Sequence, residues 1–301
     1  MARFLDPKND LTFKRVFGEH KHLCMSLLNS MLPLERPVVS IEYQTGELIP
    51  VLANVLRNTI VDVRCTDAAG RQFLVEMQLF WSDIFKYRVL FNASKAYVMQ
   101  FEKGQQISLA KPVYALSFVN ETFDHSPGME EEYYHHYKIV NIKDTEKQIE
   151  GLEFVFIELP KFKPQNRAEK RLHDLWLRFL TEINDATEEV PAELLENDLT
   201  REAVKHMEVA AYNKAQLLEY DQWRLDTWTA VAMVDHALVK GEAIGLEKGE
   251  VIGLGKGEVI GEQKTQRQVV LNSSKAGLSV ETIATITGLS VEQTIEILES
   301  K

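Results

Sequence analysis

Between Thr59 and Phe80 the chain reads TIVDVRCTDAAGRQFLVEMQLF, two apolar runs interrupted by Asp62, Glu76 and Gln78. Two carboxylates and an amide oxygen are hard donors of the kind Mg²⁺ prefers. An ion held there can activate water and stabilise the charged oxygens of a phosphodiester. On this reading Asp62 and Glu76 hold the ion, and Gln78 orients water or contacts phosphate. Gln78 cannot act as a proton-taking base, because a carboxamide does not titrate near neutrality. Arg64, Lys86 and Arg88 are candidates for neutralising phosphate, and Asp10 and Glu42 are candidate outer acids. The same three polar residues also suit a solvated sheet face that binds nothing.

The elements that must position them follow from periodicity. Ile60–Thr66 and Gln72–Phe80 read as strands joined by the turn sequence DAAG. Alternation puts Val61, Val63 and Cys65 on one face, with Phe73, Val75, Met77 and Leu79 sharing a face of the second strand. Asp62, Arg64, Glu76 and Gln78 then lie opposite. A connection centred on Ala69 sets Asp62 across from Glu76, and a one-residue slip would separate them. Upstream, Asn9 or Asp10 caps a helical opening whose apolar face is Phe13, Phe17, Leu23, Leu27 and Leu28, with a break near Gly18. Downstream, Ser82 or Asp83 caps a helix with a stripe of Tyr87, Leu90, Phe91, Ser94 and Val98. PVYALSFVNETF, YYHHYKIVNIKD and LEFVFIELPKF supply further strands, and His125, His135 and His136 are read as loop residues without zinc spacing. The order helix, strand, hairpin, helix, strand gives an α/β core with a mixed sheet.

After about residue 165 the pattern turns helical, with Leu199, Val204, Met207 and Ala211 in one stripe. KGEAIGLE, KGEVIGLG and KGEVIGEQ then repeat with period eight from Lys240, and Gly recurs every fourth residue from Gly241 to Gly261. The repeat suits a flexible linker, or a helix with one thin face used in self-association. The tail splits into two short helices at TGLS, a packing or oligomerisation element, with no basic cluster to hold phosphates.

Composition narrows the class. Of 301 residues, 45% are apolar and 26% charged, as in a soluble globular protein. No run is long and apolar enough for a membrane span, no signal peptide is evident, and two cysteines make neither a disulfide framework nor a cysteine zinc site. The expectation is a cytoplasmic protein. The net charge is −11, but residues 1–111 carry 14 basic and 11 acidic side chains against 20 and 34 in the remainder. The first third suits a polyanion better than the rest does, although chance segregation explains the split as well. There is no phosphate loop, early dinucleotide fingerprint or nucleophile elbow.

NDLTFKRVFG, TIVDVRC, FLVEMQLF, KYRVLFNASKAY and FVFIELPKF, taken together, resemble the PD-(D/E)XK nuclease family transposases, also called Rpn-type recombination-promoting nucleases. The resemblance covers residues 4–165, and the glycine repeat and GLS tail also resemble that family's C-terminal region. It implies a restriction-endonuclease-like fold and Mg²⁺-dependent cleavage of DNA, with Mn²⁺ as a substitute ion. By the resemblance, the metal-binding aspartate falls on Asp62, the second-strand acid on Glu76, the first-helix acid on Asp10 and the basic helix position on Arg88. Gln78 stands where the wider superfamily commonly has lysine, so hydrogen bonding is kept but a positive charge is absent. The expected organisation is a nuclease-like domain at 1–165, a helical accessory region at 166–239, the repeats at 240–264 and a helical tail at 265–301, with DNA as partner and a homodimer through the C-terminal helices. The alternatives are a non-catalytic DNA-binding or regulatory protein that kept the fold, and a helical interaction scaffold.

Overall fold

Asn9 caps the first helix: its side-chain oxygen accepts from the backbone N–H groups of Leu11 and Thr12, starting α1 (Asp10–Phe13). The helix then widens into a π-turn, Lys14–Gly18, before α2 (Lys21–Met31) resumes. The break expected near Gly18 is this turn. Phe13, Phe17, Leu23, Leu27 and Leu28 are all fully buried. Each such side chain contributes roughly 1.5–3 kcal/mol of burial free energy. The structure is a computed structural model that describes residues 4–48, 59–101, 110–164 and 171–300. The first residues of the helix expected from Arg167 lie outside them.

β1 (Ile41–Tyr43), β4 (Val63–Asp67), β5 (Gln72–Gln78), β6 (Val113–Val119), β7 (Tyr134–Asn141) and β8 (Asp144–Glu158) form one sheet in the order β1-β4-β5-β6-β8-β7. β2 (Glu47–Leu48) and β3 (Thr59–Ile60) pair separately. β5, β6 and β8 are mutually parallel while the outer pairings are antiparallel, so the sheet is mixed. Parallel neighbours need a crossover, and α3 (Asp83–Val98) lies between β5 and β6 in the chain. One sheet face packs Val63, Cys65, Phe73, Val75 and Met77 against α1 and α2. The other packs Leu74, Ala115 and Phe156 against α3. α4 (Arg171–Glu182), α5 (Ala192–Glu196) and α6 (Asp198–Met207) add Trp176, Phe179, Leu194 and Met207 to the first core. This is a restriction-endonuclease-like α/β core followed by a mainly helical region.

Several expectations need correction. The first hairpin strand starts at Val63, because the chain bends at Asp62. The bend breaks the alternation, and Val61 packs with the α3-side core instead of with Val63 and Cys65. In α3 the buried residues are Phe85, Val89, Asn92, Ala93 and Ala96. Tyr87, Leu90 and Val98 are exposed. The face that meets the sheet combines Phe85 and Val89 with two alanines and the Asn92 amide, and is set about half a turn from the expected stripe. His135 and His136 lie in β7, not a loop. His135 donates to Glu158 at 2.8 Å, and Glu158 also accepts from the Phe123 and Asp124 amides and from Lys161. His136 pairs with Glu153.

The chain divides into two compact units, up to Trp223 and from Arg224 on. The division falls within α7 (Lys214–Lys275), which runs without interruption through all three glycine repeats. The repeat is therefore helix, and the flexible-linker reading is overturned: intrahelical hydrogen bonding outlasts the cost of single glycines when helix formers flank each one. In the second unit Val270, Ile283, Ala284 and Thr294 bury where the end of α7 meets α8 (Val280–Thr287) and α9 (Val291–Glu299). The TGLS turn is as the residues dictate: Gly288 takes φ 70° and Ser290 forms a reciprocal cap with Gln293.

Candidate active site

Val63 pairs with Val75, Arg64 with Leu74 and Cys65 with Phe73. Asp62 stands at the bend just before this register begins and reaches β5 through the Met77 N–H. Asp67 closes the turn by accepting from the Ala69 and Arg71 amides, and Gly70 supplies the positive φ of 83°. The hairpin thus fixes both acids from local chemistry.

Asp62 accepts the Met77 N–H at 2.8 Å through Oδ2, while Oδ1 lies 3.7 Å from Lys14 Nζ. Lys14 also lies 3.5 Å from Asp10. Glu76 is buried, accepts from Asn92 Nδ2 at 3.1 Å, and lies 3.7 Å from the Arg88 guanidinium. Arg88 donates to Gln78 Oε1 at 2.7 Å, and Gln78 Nε2 donates to the Phe80 carbonyl at 2.7 Å. Arg88 and Asn92 are one helical turn apart on α3, which presents both to β5. Burial, then the nearby Asp10 charge, push the Asp62 carboxyl up to about 6 against the relief from Met77, Lys14 and Arg88. Glu76 is also raised, chiefly by burial, with Asp62 adding to the rise.

The structure brings Asp10, Asp62, Glu76, Gln78 and Arg88 into one connected network. It does not bring in Glu42, which is exposed, pairs with Lys21 and sits opposite Thr66. Arg64 is buried and donates to Gln72 on the α3 side, so it is no phosphate ligand. Lys86 is exposed over the Trp81 ring. Lys14 and Asn92 escaped the sequence reading, although the spacings Asp10–Lys14 and Arg88–Asn92 carry the signal. A groove of about 970 Å³ near Ser26, Tyr134 and His173 contains none of these residues.

The three acids are oxygen donors of the class Mg²⁺ takes, but among the described residues their ligand atoms do not converge within 4.8 Å of one another. Asp62 is half-buried and Glu76 buried, and both have raised pKa values that a divalent cation would relieve. Asn92 Oδ1 and Ser117 Oγ are buried without a hydrogen-bond partner, and Ser117 is the β6 register neighbour of Glu76. They leave polar capacity for an ion's hydration shell.

A second group went unnoticed in the sequence. His20, Glu202 and His206 place ligand atoms within 4.8 Å of one another and could hold a divalent ion. Only the Glu202–His206 spacing hinted at it.

A mixed sheet with acids on adjoining strands and a crossover helix carrying a cation is the core of a PD-(D/E)XK nuclease. The chain matches the family described as PD-(D/E)XK nuclease family transposase over residues 7–237, and it belongs to that family. No curated protein and no solved structure matches it. Among the described residues no helix is long and apolar enough to cross a membrane.

Proposed function

We propose that the protein is a Mg²⁺-dependent DNA endonuclease that hydrolyses phosphodiester bonds, with Mn²⁺ able to substitute. The observation that carries this reading is the pair of neighbouring carboxylates, Asp62 at the bend before β4 and Glu76 on β5, both with raised pKa values and each beside a cation, Lys14 or Arg88. Asp62, Glu76 and Asp10 would hold the ion. When bound, it supplies Lewis-acid activation of the scissile phosphate and of the attacking water. Arg88 offsets charge on the phosphate, and Gln78 holds Arg88 in place through its Oε1. Asn92 orients Glu76. Lys14, which lies beside Asp10 and Asp62, would add a further cation toward the DNA backbone.

DNA is the partner on this reading, in recombination or mobile-element chemistry, and a cytoplasmic location accords with it. Residues 166–301 act as an accessory and dimerisation region; Trp228, Met233, Leu238, Leu246 and Leu254 are exposed along α7. A two-fold dimer would give one site per DNA strand.

Plasmid cleavage with Mg²⁺, Mn²⁺ or chelator tests the proposal. Metal-dependent nicking that disappears in both Asp62→Ala and Glu76→Ala is the expected result, and activity unchanged in either variant refutes this site. The ion pairs of Lys14 and Arg88 with the carboxylates favour one rival, a DNA-binding protein that does not cleave. That rival gives salt-sensitive DNA binding and no nicking with any divalent ion.

A further inference from the structure

The histidines of the second cluster are prepared as ligands by their surroundings. His20 Nδ1 lies 2.7 Å from the Arg15 carbonyl. A carbonyl only accepts, so Nδ1 carries the proton and the lone pair of neutral His20 is on Nε2. Metal-binding histidines are commonly oriented in this way, with the far ring nitrogen donating to a backbone oxygen. Glu202 is oriented likewise: His22 Nε2 lies 2.9 Å from Oε2, and Oε1 is left 3.8 Å from His206 Nε2. His206 Nε2 is buried with no hydrogen-bond partner. The neutral imidazole is the form that ligates a metal. The His20 and His206 rings stand 4.0 Å apart between centroids, a contact two charged imidazoles would oppose.

We infer that His20, Glu202 and His206 form a second metal site, selective for a borderline divalent ion of the Zn²⁺ type. Two nitrogens and one oxygen suit Zn²⁺, and Mg²⁺ prefers an all-oxygen set. The fourth position is open to water, since the ligand side chains are only partly buried. The site joins His20, just ahead of α2, to Glu202 and His206 on α6, segments far apart in the chain, so the ion would be a cross-link. It shares no residue with the Asp62–Glu76 centre and does not rest on the nuclease reading.

The test uses the full chain, stripped of metal, in an Asp62→Asn background that silences the other centre. Zn²⁺ well above its dissociation constant is expected to raise the unfolding temperature by about 5 °C. Equal Mg²⁺ leaves it unchanged. The Zn²⁺ shift is lost in His20→Ala and in His206→Ala. Co²⁺ added to the unmutated chain gives visible bands of low-coordinate cobalt that Zn²⁺ displaces, a readout that needs no variant to fold. A Zn²⁺ shift that persists in the double histidine variant, or Co²⁺ bands that are absent, overturns the site.

Discussion

Asp62→Asn separates what the acid contributes to chemistry from what it costs the fold. The asparagine keeps an oxygen for the Met77 amide and removes the charge. The Asp62 pKa rises from an ordinary 3.8 to about 6 on folding, mainly through burial. A shift of that size is about 3 kcal/mol between the protonated and ionised forms. The sign follows from linkage. The folded state binds this proton more tightly than the unfolded chain does, so the stabilisation is complete below the unfolded pKa and is lost as pH rises through about 6. At pH 8 and without metal, the aspartate therefore leaves the fold roughly 3 kcal/mol less stable than an uncharged residue of the same shape would. Asp62→Asn should recover about 2–3 kcal/mol at pH 8 and close to nothing at pH 4. Urea titration followed by tryptophan fluorescence in chelator at both pH values measures this, since Trp176 is fully buried in the same core. Added Mg²⁺ should stabilise the parent and not the variant. Equal stability of parent and variant at pH 8, or a gain of the same size at pH 4, would refute the argument that an uncompensated buried charge sits at this position.

Gln78→Lys should retain or increase Mg²⁺-dependent nicking if missing positive charge limits the rate; complete loss in a folded variant would show that the amide's bonds to Arg88 and Phe80 are indispensable. Glu158→Gln should destabilise by about 3 kcal/mol, because Lys161 and His135 lose a buried counter-charge, and a urea midpoint within error of the parent would contradict that. Replacing Gly245, Gly249 and Gly253 together by Ala should strengthen α7 by about 2–3 kcal/mol, since nothing lies within 4 Å of the added Cβ atoms. Melts by far-ultraviolet circular dichroism check this, and a loss of stability would reveal that the glycine stripe is covered in the assembled protein.

The register of the hairpin was legible because two independent signals agreed, alternation in both runs and the length of the DAAG turn. Each is local, and neither depends on what packs above the sheet. Asn9 and Ser290 were legible for the same reason, as caps bond within four residues. The rotational setting of α3 was not. Tyr87, Leu90 and Val98 face outward, while the buried side carries Phe85, Val89, Ala93 and Ala96 together with Asn92, which donates to Glu76 on the neighbouring strand. No property of the helix alone contains that contact. His135 was misread because β7 lies mostly exposed and lacks an apolar alternation. The state of the glycine repeat was open because sequence propensity at each glycine opposes the helix that the flanking residues favour. Local spacing gives only half of Lys14 and of the His20–His206 cluster, Asp10–Lys14 and Glu202–His206; their partners Asp62 and His20 lie on segments far apart in the chain, which no spacing rule reaches.

The π-turn at Lys14–Gly18 adds one residue to a circuit of the helix. Gly18 ends it, and the extended His20 separates it from α2, so Lys14 and Arg15 sit in a wide turn just ahead of a break in the helix. Lys14 can therefore look toward Asp62 while the Arg15 carbonyl looks toward His20. Residues of both candidate centres are thus positioned by one irregular turn. Deleting one residue of it is expected to disturb both candidate centres together, whereas a side-chain substitution at either is expected to disturb that one alone.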